Sequence, residues 1–252
     1  MFFQKLFGSF FPETGFTSLH IPCARVPLSQ LFTDELVYTS TVSLLLCLLL
    51  AVISLWFGPL FCGRLCPAGA FGEFLSSLLN DKYKIDWIKY FPISPVRYGF
   101  FIGFIFSSWI GIASPCIYCN YYAFELFVSS LLTFTLPMMS ASLLLTFFMA
   151  NIMLGLFTKG GRGYCNFLCP IGTASSLFHI AGQYLPGPFK MQVNAQKCIS
   201  CQKCANICPM RAITVDEHKA EINITRCIIC GKCSCNCPVK AITYSSNLSR
   251  EK

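Results

Sequence analysis

Two cysteine runs, CISCQKCANICP and CIICGKCSCNCP, constrain this chain more than anything else in it. They place Cys198, Cys201, Cys204 and Cys208 before Pro209, and Cys227, Cys230, Cys233 and Cys237 before Pro238. Three thiolates from one turn-rich loop can cover one face of an iron–sulfur cubane, and the fourth ligand must then return from elsewhere. In the Cys-x2-Cys-x2-Cys-x3-Cys-Pro spacing, the fourth cysteine of each run serves the other cluster. One [4Fe-4S] cluster is therefore expected on Cys198, Cys201, Cys204 and Cys237, and a second on Cys227, Cys230, Cys233 and Cys208. Paired zinc sites would need only CxxC pairs and would leave the later cysteines and the prolines without a reason. Cys235 falls outside the spacing and reads as a bystander.

The spacing is that of bacterial two-cluster ferredoxins, so residues 190–252 are expected to form a small α+β ferredoxin domain. The tails MRAIT and VKAIT that follow the two runs suggest a duplicated unit with a short strand beyond each helix. From position 190 onward there are ten Lys or Arg against four Asp or Glu. Thiolate-ligated clusters are anionic, and basic surroundings offset that charge and raise cluster potential.

The rest of the chain has a different character. Charged residues make up only 12% of the whole sequence and hydrophobic ones 54%, a balance typical of membrane proteins. The formal charge of +8 then fits anchoring at the cytoplasmic face rather than nucleic-acid binding, and no nucleic-acid partner is expected. Residues 36–57 carry no charge, and about 22 residues at roughly 1.5 Å each would cross a hydrocarbon core of about 30 Å. Residues 98–114 read as a second span. The longer apolar stretch that follows splits at Pro137 into a re-entrant or interfacial helix over 123–135 and a third span over 137–157. Arg64, Lys82, Lys84, Lys89, Arg97, Lys159 and Arg162 flank the spans on one side, which makes that side cytoplasmic. The expected architecture is a non-cytoplasmic segment 1–35, an α-helical membrane domain of about three spans over 36–189 with interfacial or re-entrant helices, and the ferredoxin domain on the cytoplasmic side of the inner membrane. Residues 1–12 hold Lys5 among phenylalanines without a sustained apolar run, so no cleaved secretory signal is expected.

An internal repeat ties the two parts together. FCGRLCPAGAF follows the first expected span and YCNFLCPIGTA the third, and each continues into an apolar-rich stretch, 71–79 and 174–185, expected to lie at the interface. Cys62, Cys66, Cys165 and Cys169 thus come as four thiols from two pseudo-symmetric loops. They suit a third iron–sulfur cluster, and also another soft metal, thiol redox chemistry or a structural role. Cys116 and Cys119, with Cys23, are expected on the opposite face, either as a disulfide or free thiols or as a further metal site. Glu125 is the sole acid between positions 102 and 157, a candidate proton acceptor from quinol or a residue at the interface. His179 could face a quinone headgroup or the surface. None of His20, His179 and His218 falls within an expected span, so no transmembrane haem is expected.

Paired CxxxCP loops beside apolar helices, followed by a two-cluster ferredoxin, resemble the NapH, NosR and CcoG group of membrane-bound iron–sulfur proteins. The resemblance runs over residues 36–245. It implies the electron-transfer subunit of an oxidoreductase complex, a quinol dehydrogenase among the options, with the lipid bilayer, quinone and a partner redox enzyme as partners. The alternative it implies is a CcoG-like accessory factor supplying electrons for metal-centre assembly.

Overall fold

A computed structural model describes residues 40–87, 90–110, 127, 131, 145, 148–216 and 219–246. The chain divides into two compact units, Met1–Ala51 with Ile102–Phe148, and Val52–Phe101 with Met149–Lys252. Both cysteine systems of interest lie in the second unit. The expected segment 1–35, with His20 and Cys23, lies outside the described residues, as do Cys116, Cys119, Glu125, His218 and almost all of the expected re-entrant helix over 123–135.

The expectation of a membrane domain with about three spans is overturned: among the described residues, no helix is long and apolar enough to cross a membrane. Helix α1 runs over Ser40–Phe57 and helix α3 over Ile93–Ile110, 18 residues each. At 1.5 Å per residue the described part of each is about 27 Å long, short of a hydrocarbon core of about 30 Å. An uncharged run in the sequence does not say where its helix begins or ends. Gly58, at φ 74 and followed by Pro59, closes α1, and the C-terminal part of the expected third span is a five-residue π-helix, Ile152–Leu156. The architecture is instead helical with two small sheets and a ferredoxin-like C-terminal region.

Each CxxxCP loop opens a helix. Proline suits the first helical turn because its missing N–H would be unsatisfied there anyway, and α2, Pro67–Ser77, and α5, Pro170–Gly182, both start on the proline of the motif. A five-residue helix, α4 at Gly163–Phe167, carries the first cysteine of the second loop. The C-terminal region then alternates strand and cysteine loop: β1 Phe189–Val193, α6 Lys203–Ile207, β2 Ile213–Val215, β3 Ala220–Ile222, α7 Lys232–Cys235 and β4 Ile242–Ser246. Strands β1 and β4 pair antiparallel from Phe189 opposite Ser246 to Val193 opposite Ile242, and β2 pairs with β3. The first strand is thereby paired with the last, and both cysteine loops lie between them in the sequence.

The duplication is visible in the backbone. Ser200 and Ile229, Gln202 and Gly231, and Arg211 and Lys240 all have left-handed φ between 47° and 77°. Within each pair the two residues stand at the same place in the two runs. A β-branched residue is seldom left-handed, and Ile229, at φ 53, is held there by packing: it is 1% exposed in a core with Met191, Met210, Ile213, Ile228 and Ile242. Burying a side chain of that size contributes about 1.5–3 kcal/mol.

Gly58 shows how closely the parts approach. A Cβ there would lie 2.2 Å from Ile229 Cδ1 and 3.0 Å from His179 Cε1, and its φ is itself unfavourable for an L side chain. Gly99, by contrast, has nothing within 4 Å of a Cβ and sits exposed in α3. We expect Gly58→Ala to cost about 2–4 kcal/mol in equilibrium denaturation, and Gly99→Ala to stabilise by up to about 1 kcal/mol through helix propensity. Equal effects would contradict this packing.

Candidate iron–sulfur centres

Cys198, Cys201 and Cys204 line one pocket together with Cys237 from the other run, and Cys227, Cys230 and Cys233 line another together with Cys208. Each pocket encloses about 350 Å³ of atom-free space, part of it open to solvent. The remaining walls are mostly apolar: Val215 and Ile242 in the first, Met191, Ile213 and Ile222 in the second. Four thiols in an apolar cup are a soft donor set suited to an iron–sulfur cubane. Among the described residues, no three His, Cys, Asp or Glu side chains converge on a point that would hold a single metal ion. A cubane places its four thiolates on four separate irons and needs no such convergence. The backbone adds matching donors, Ala212 N–H to Cys208 Sγ and Ala241 N–H to Cys237 Sγ, each at 3.3 Å. Hydrogen bonds to cluster sulfur raise the reduction potential.

The two pockets differ in access. Cys201 is exposed, whereas Cys208 and Cys233 are buried. Cys235, the bystander of the sequence reading, is exposed and lines neither pocket.

The four CxxxCP cysteines are also brought together. Burial first, then the neighbouring Cys169 and Cys66, pushes the Cys62 thiol up to about 12, while Arg162 and Arg97 pull the other way. Cys165 is likewise pushed up to about 12, by burial ahead of Cys66 and Cys62 and against Arg162 and Arg97. Cys62 and Cys165 pack against the same buried core as Cys208 and Cys233. Gly63 makes this approach feasible, since a Cβ there would stand 2.1 Å from Ile228 O.

Arg97 and Arg162, placed by the sequence among the loop charges flanking the expected spans, are buried, at 4% and 5% exposure. Arg162 donates from Nε to Glu73 and from Nη1 to Cys62 O. Glu73 also accepts from Lys232, the neighbour of Cys233, so one carboxylate on α2 holds both the second CxxxCP loop and the second ferredoxin loop. Arg97 donates from Nε to Thr173 Oγ1 at 3.1 Å and from Nη1 to Thr225 O at 2.7 Å. Burial lowers the Arg97 pKa, and the charge of Cys169, Tyr98, Cys62 and Cys165 opposes that shift. No residue type marks such a cation in the sequence. The one available signal was the glycine that recurs three residues after the second cysteine of each loop, Gly69 and Gly172, against which the two guanidinium groups lie. His179, read as facing a quinone or the surface, is 1% exposed beside Gly58, with no hydrogen-bond partner at Nδ1.

Comparison with known proteins agrees with the donor sets. Residues 39–86 and 139–182 match a family described as a 4Fe-4S binding domain, and residues 197–242 match a 4Fe-4S dicluster domain. The chain is similar to a protein of Escherichia coli K12 named "Putative electron transport protein YccM", 28% identical over 75% of this chain and 51% of that one. It is also similar to "Uncharacterized protein MJ0749" of Methanocaldococcus jannaschii, 25% identical over 73% of this chain and 63% of that one. The chain thus spans between about half and two thirds of the length of these relatives. No solved structure matches it. The chain carries 4Fe-4S ferredoxin-type domains.

Burial also pushes the Cys227 and Cys233 thiols up to about 12, ahead of their neighbours' charges. A thiol whose folded pKa lies above its unfolded value adds stability that is complete below about pH 9 and is lost as pH rises toward about 12. Iron-free protein is therefore expected to lose denaturation midpoint steadily over that window. Cluster-loaded protein, with no thiol protons left to lose, should lose less. A flat midpoint in the iron-free protein would contradict the burial of these thiols.

Proposed function

We propose that this chain is the electron-transfer subunit of an oxidoreductase complex, with three iron–sulfur centres in series. Cys198, Cys201, Cys204 and Cys237 hold the solvent-side [4Fe-4S] cluster, and Cys227, Cys230, Cys233 and Cys208 hold the inner one. Cys62, Cys66, Cys165 and Cys169 hold a third centre. Bound there, the clusters supply the one-electron redox change. The chain sets their spacing, their access to solvent and the charge around them.

The observation that carries this reading is the packing of Cys62 and Cys165 on the core that also buries Cys208 and Cys233. Electron tunnelling falls steeply with distance, and two thiolate sites sharing one core are close. A match of the CxxxCP region to a 4Fe-4S binding domain supports a cluster there over another soft metal.

The electrons then pass to or from quinone or a partner redox enzyme at the cytoplasmic membrane, as in the NapH and NosR group. Support comes from exposed apolar side chains. Leu45, Leu48, Leu49, Val52 and Trp56 form a stripe with i, i+3, i+4, i+7 spacing on α1, and Phe74 projects from α2 with Leu78 just beyond its end. Exposed apolar side chains of this kind fit a bilayer or an apolar partner.

Iron and acid-labile sulfide in anaerobically purified protein test the third centre. We expect about twelve irons per chain, falling to about eight when Cys62, Cys66, Cys165 and Cys169 are replaced by Ser. About eight irons in the unaltered protein, unchanged by those substitutions, would refute it.

A further inference from the structure

We propose that Arg97 and Arg162 form a paired cationic cradle, one guanidinium per CxxxCP loop, and that Arg97 sets the reduction potential of the centre held between the loops. The inference rests on the third centre proposed above and assigns the residues that control it.

The first argument is the symmetry of the pair. Gly69 and Gly172 occupy the same place in the two repeats, three residues beyond Cys66 and Cys169. Arg162 lies against Gly69, its Nη1 2.8 Å from where a Cβ would be, and Arg97 lies against Gly172, its Nη2 3.7 Å from the corresponding point. Arg162 precedes the second loop yet rests on the glycine of the first. Arg97 follows the first loop and rests on the glycine of the second. The two cations are therefore exchanged between repeats, as the fourth cysteines are in the ferredoxin region. Glycine at both places leaves room for a planar charged group beside the thiols.

The second argument is the asymmetry of their charge balance. Arg162 has a carboxylate, Glu73, as its ion-pair partner. Among the described residues, the hydrogen bonds of Arg97 go to neutral acceptors, Thr173 Oγ1 and Thr225 O, and no carboxylate lies within ion-pair distance of it. A buried cation without a counter-ion is strongly destabilising. The groups around Arg97 that can carry a negative charge are Cys169, Cys62 and Cys165, with Tyr98, and Cys169 Sγ lies 3.6 Å from the Cβ position of Gly172. Four ligating thiolates provide the counter-ion that Arg97 otherwise lacks.

The consequence concerns potential. A fixed positive charge favours the more negative, reduced state of a neighbouring cluster and so raises its potential. Arginine keeps its proton across the accessible pH range, so the effect is electrostatic and no proton accompanies the electron. The electron is exchanged with the adjacent Cys227-loop cluster, which is oxidised when the third centre is reduced and reduced when it is oxidised. Arg97 is also tied to the loop of that neighbouring cluster, because Thr225 stands two residues before Cys227. It is a positioning residue and not a ligand.

The test is an anaerobic redox titration of the full chain followed by EPR, with Arg97→Gln and Arg97→Lys beside the unaltered protein and with iron content measured on each. We expect Arg97→Gln to reduce the reduced-to-oxidised ratio of the third centre about tenfold at the unaltered midpoint, roughly 59 mV for one electron. Arg97→Lys, which keeps the charge, should hold the ratio within about threefold, and the Cys198-loop cluster should not move. Loss of the third centre from Arg97→Gln but not from Arg97→Lys would also support a charge role. An unmoved midpoint in Arg97→Gln, or loss of the centre from both variants, would overturn the inference while the unaltered protein keeps its third centre. About eight irons in the unaltered protein would remove the centre and this inference with it.

Discussion

A buried guanidinium is tolerable only where acceptors or opposite charge satisfy it, and the second unit of this chain is organised around that requirement. The two loops that bring four cysteines together also bring Arg97 and Arg162 out of solvent, at 4% and 5% exposure, into their midst. Glu73 balances one of them and reaches on to Lys232 in the ferredoxin region. Charge balance and docking are thus the same set of contacts. Removing one member would leave a buried ion without its partner, and would also loosen the contact between the two cysteine systems.

Glycine makes that contact close. Gly63 brings the first CxxxCP loop against the Ile228 carbonyl, and Gly160 brings the segment ahead of the second loop against Pro209, where a Cβ would lie 2.4 Å from the carbonyl oxygen. Around these backbone contacts, Asn166 donates to Met210 O at 3.3 Å, Arg211 pairs with Asp86 at 2.7 Å, and Tyr244 donates from its hydroxyl to Phe57 O at 2.8 Å. Phe57 stacks on Phe189, which in turn meets Tyr244. Apolar burial supplies most of the energy of such a junction, while the buried hydrogen bonds fix its geometry, since an unpaired group there is costly. A ferredoxin region on a flexible tether would have neither.

The ferredoxin region was legible because its signal is local. Cysteine spacing determines which thiols one loop can present, so the grouping of Cys198, Cys201, Cys204 and Cys237 in one pocket, and of the other four in the second, follows from sequence. The repeat placed Cys62, Cys66, Cys165 and Cys169 in equivalent loops for the same reason. Hydropathy misled at the next level. The uncharged run over 36–57 was long enough to cross a bilayer and that over 98–114 was read as a second span, but among the described residues no helix is long and apolar enough to do so. The burial of the two arginines was legible only through the recurring glycines Gly69 and Gly172. In a chain with few charges, Arg97 and Arg162 look like loop anchors, and only tertiary packing shows that each faces a glycine of the opposite repeat.

The central claim is that the CxxxCP cysteines and the second ferredoxin loop hold neighbouring redox centres in one packed unit. EPR of the fully reduced protein tests it most directly, because paramagnetic clusters close together broaden each other's signals. The account predicts that the signal of the Cys227-loop cluster is split or broadened, and that it sharpens when Cys62, Cys66, Cys165 and Cys169 are replaced by Ser while the coupling between the two ferredoxin clusters persists. A fully reduced spectrum identical with and without those four cysteines would contradict it.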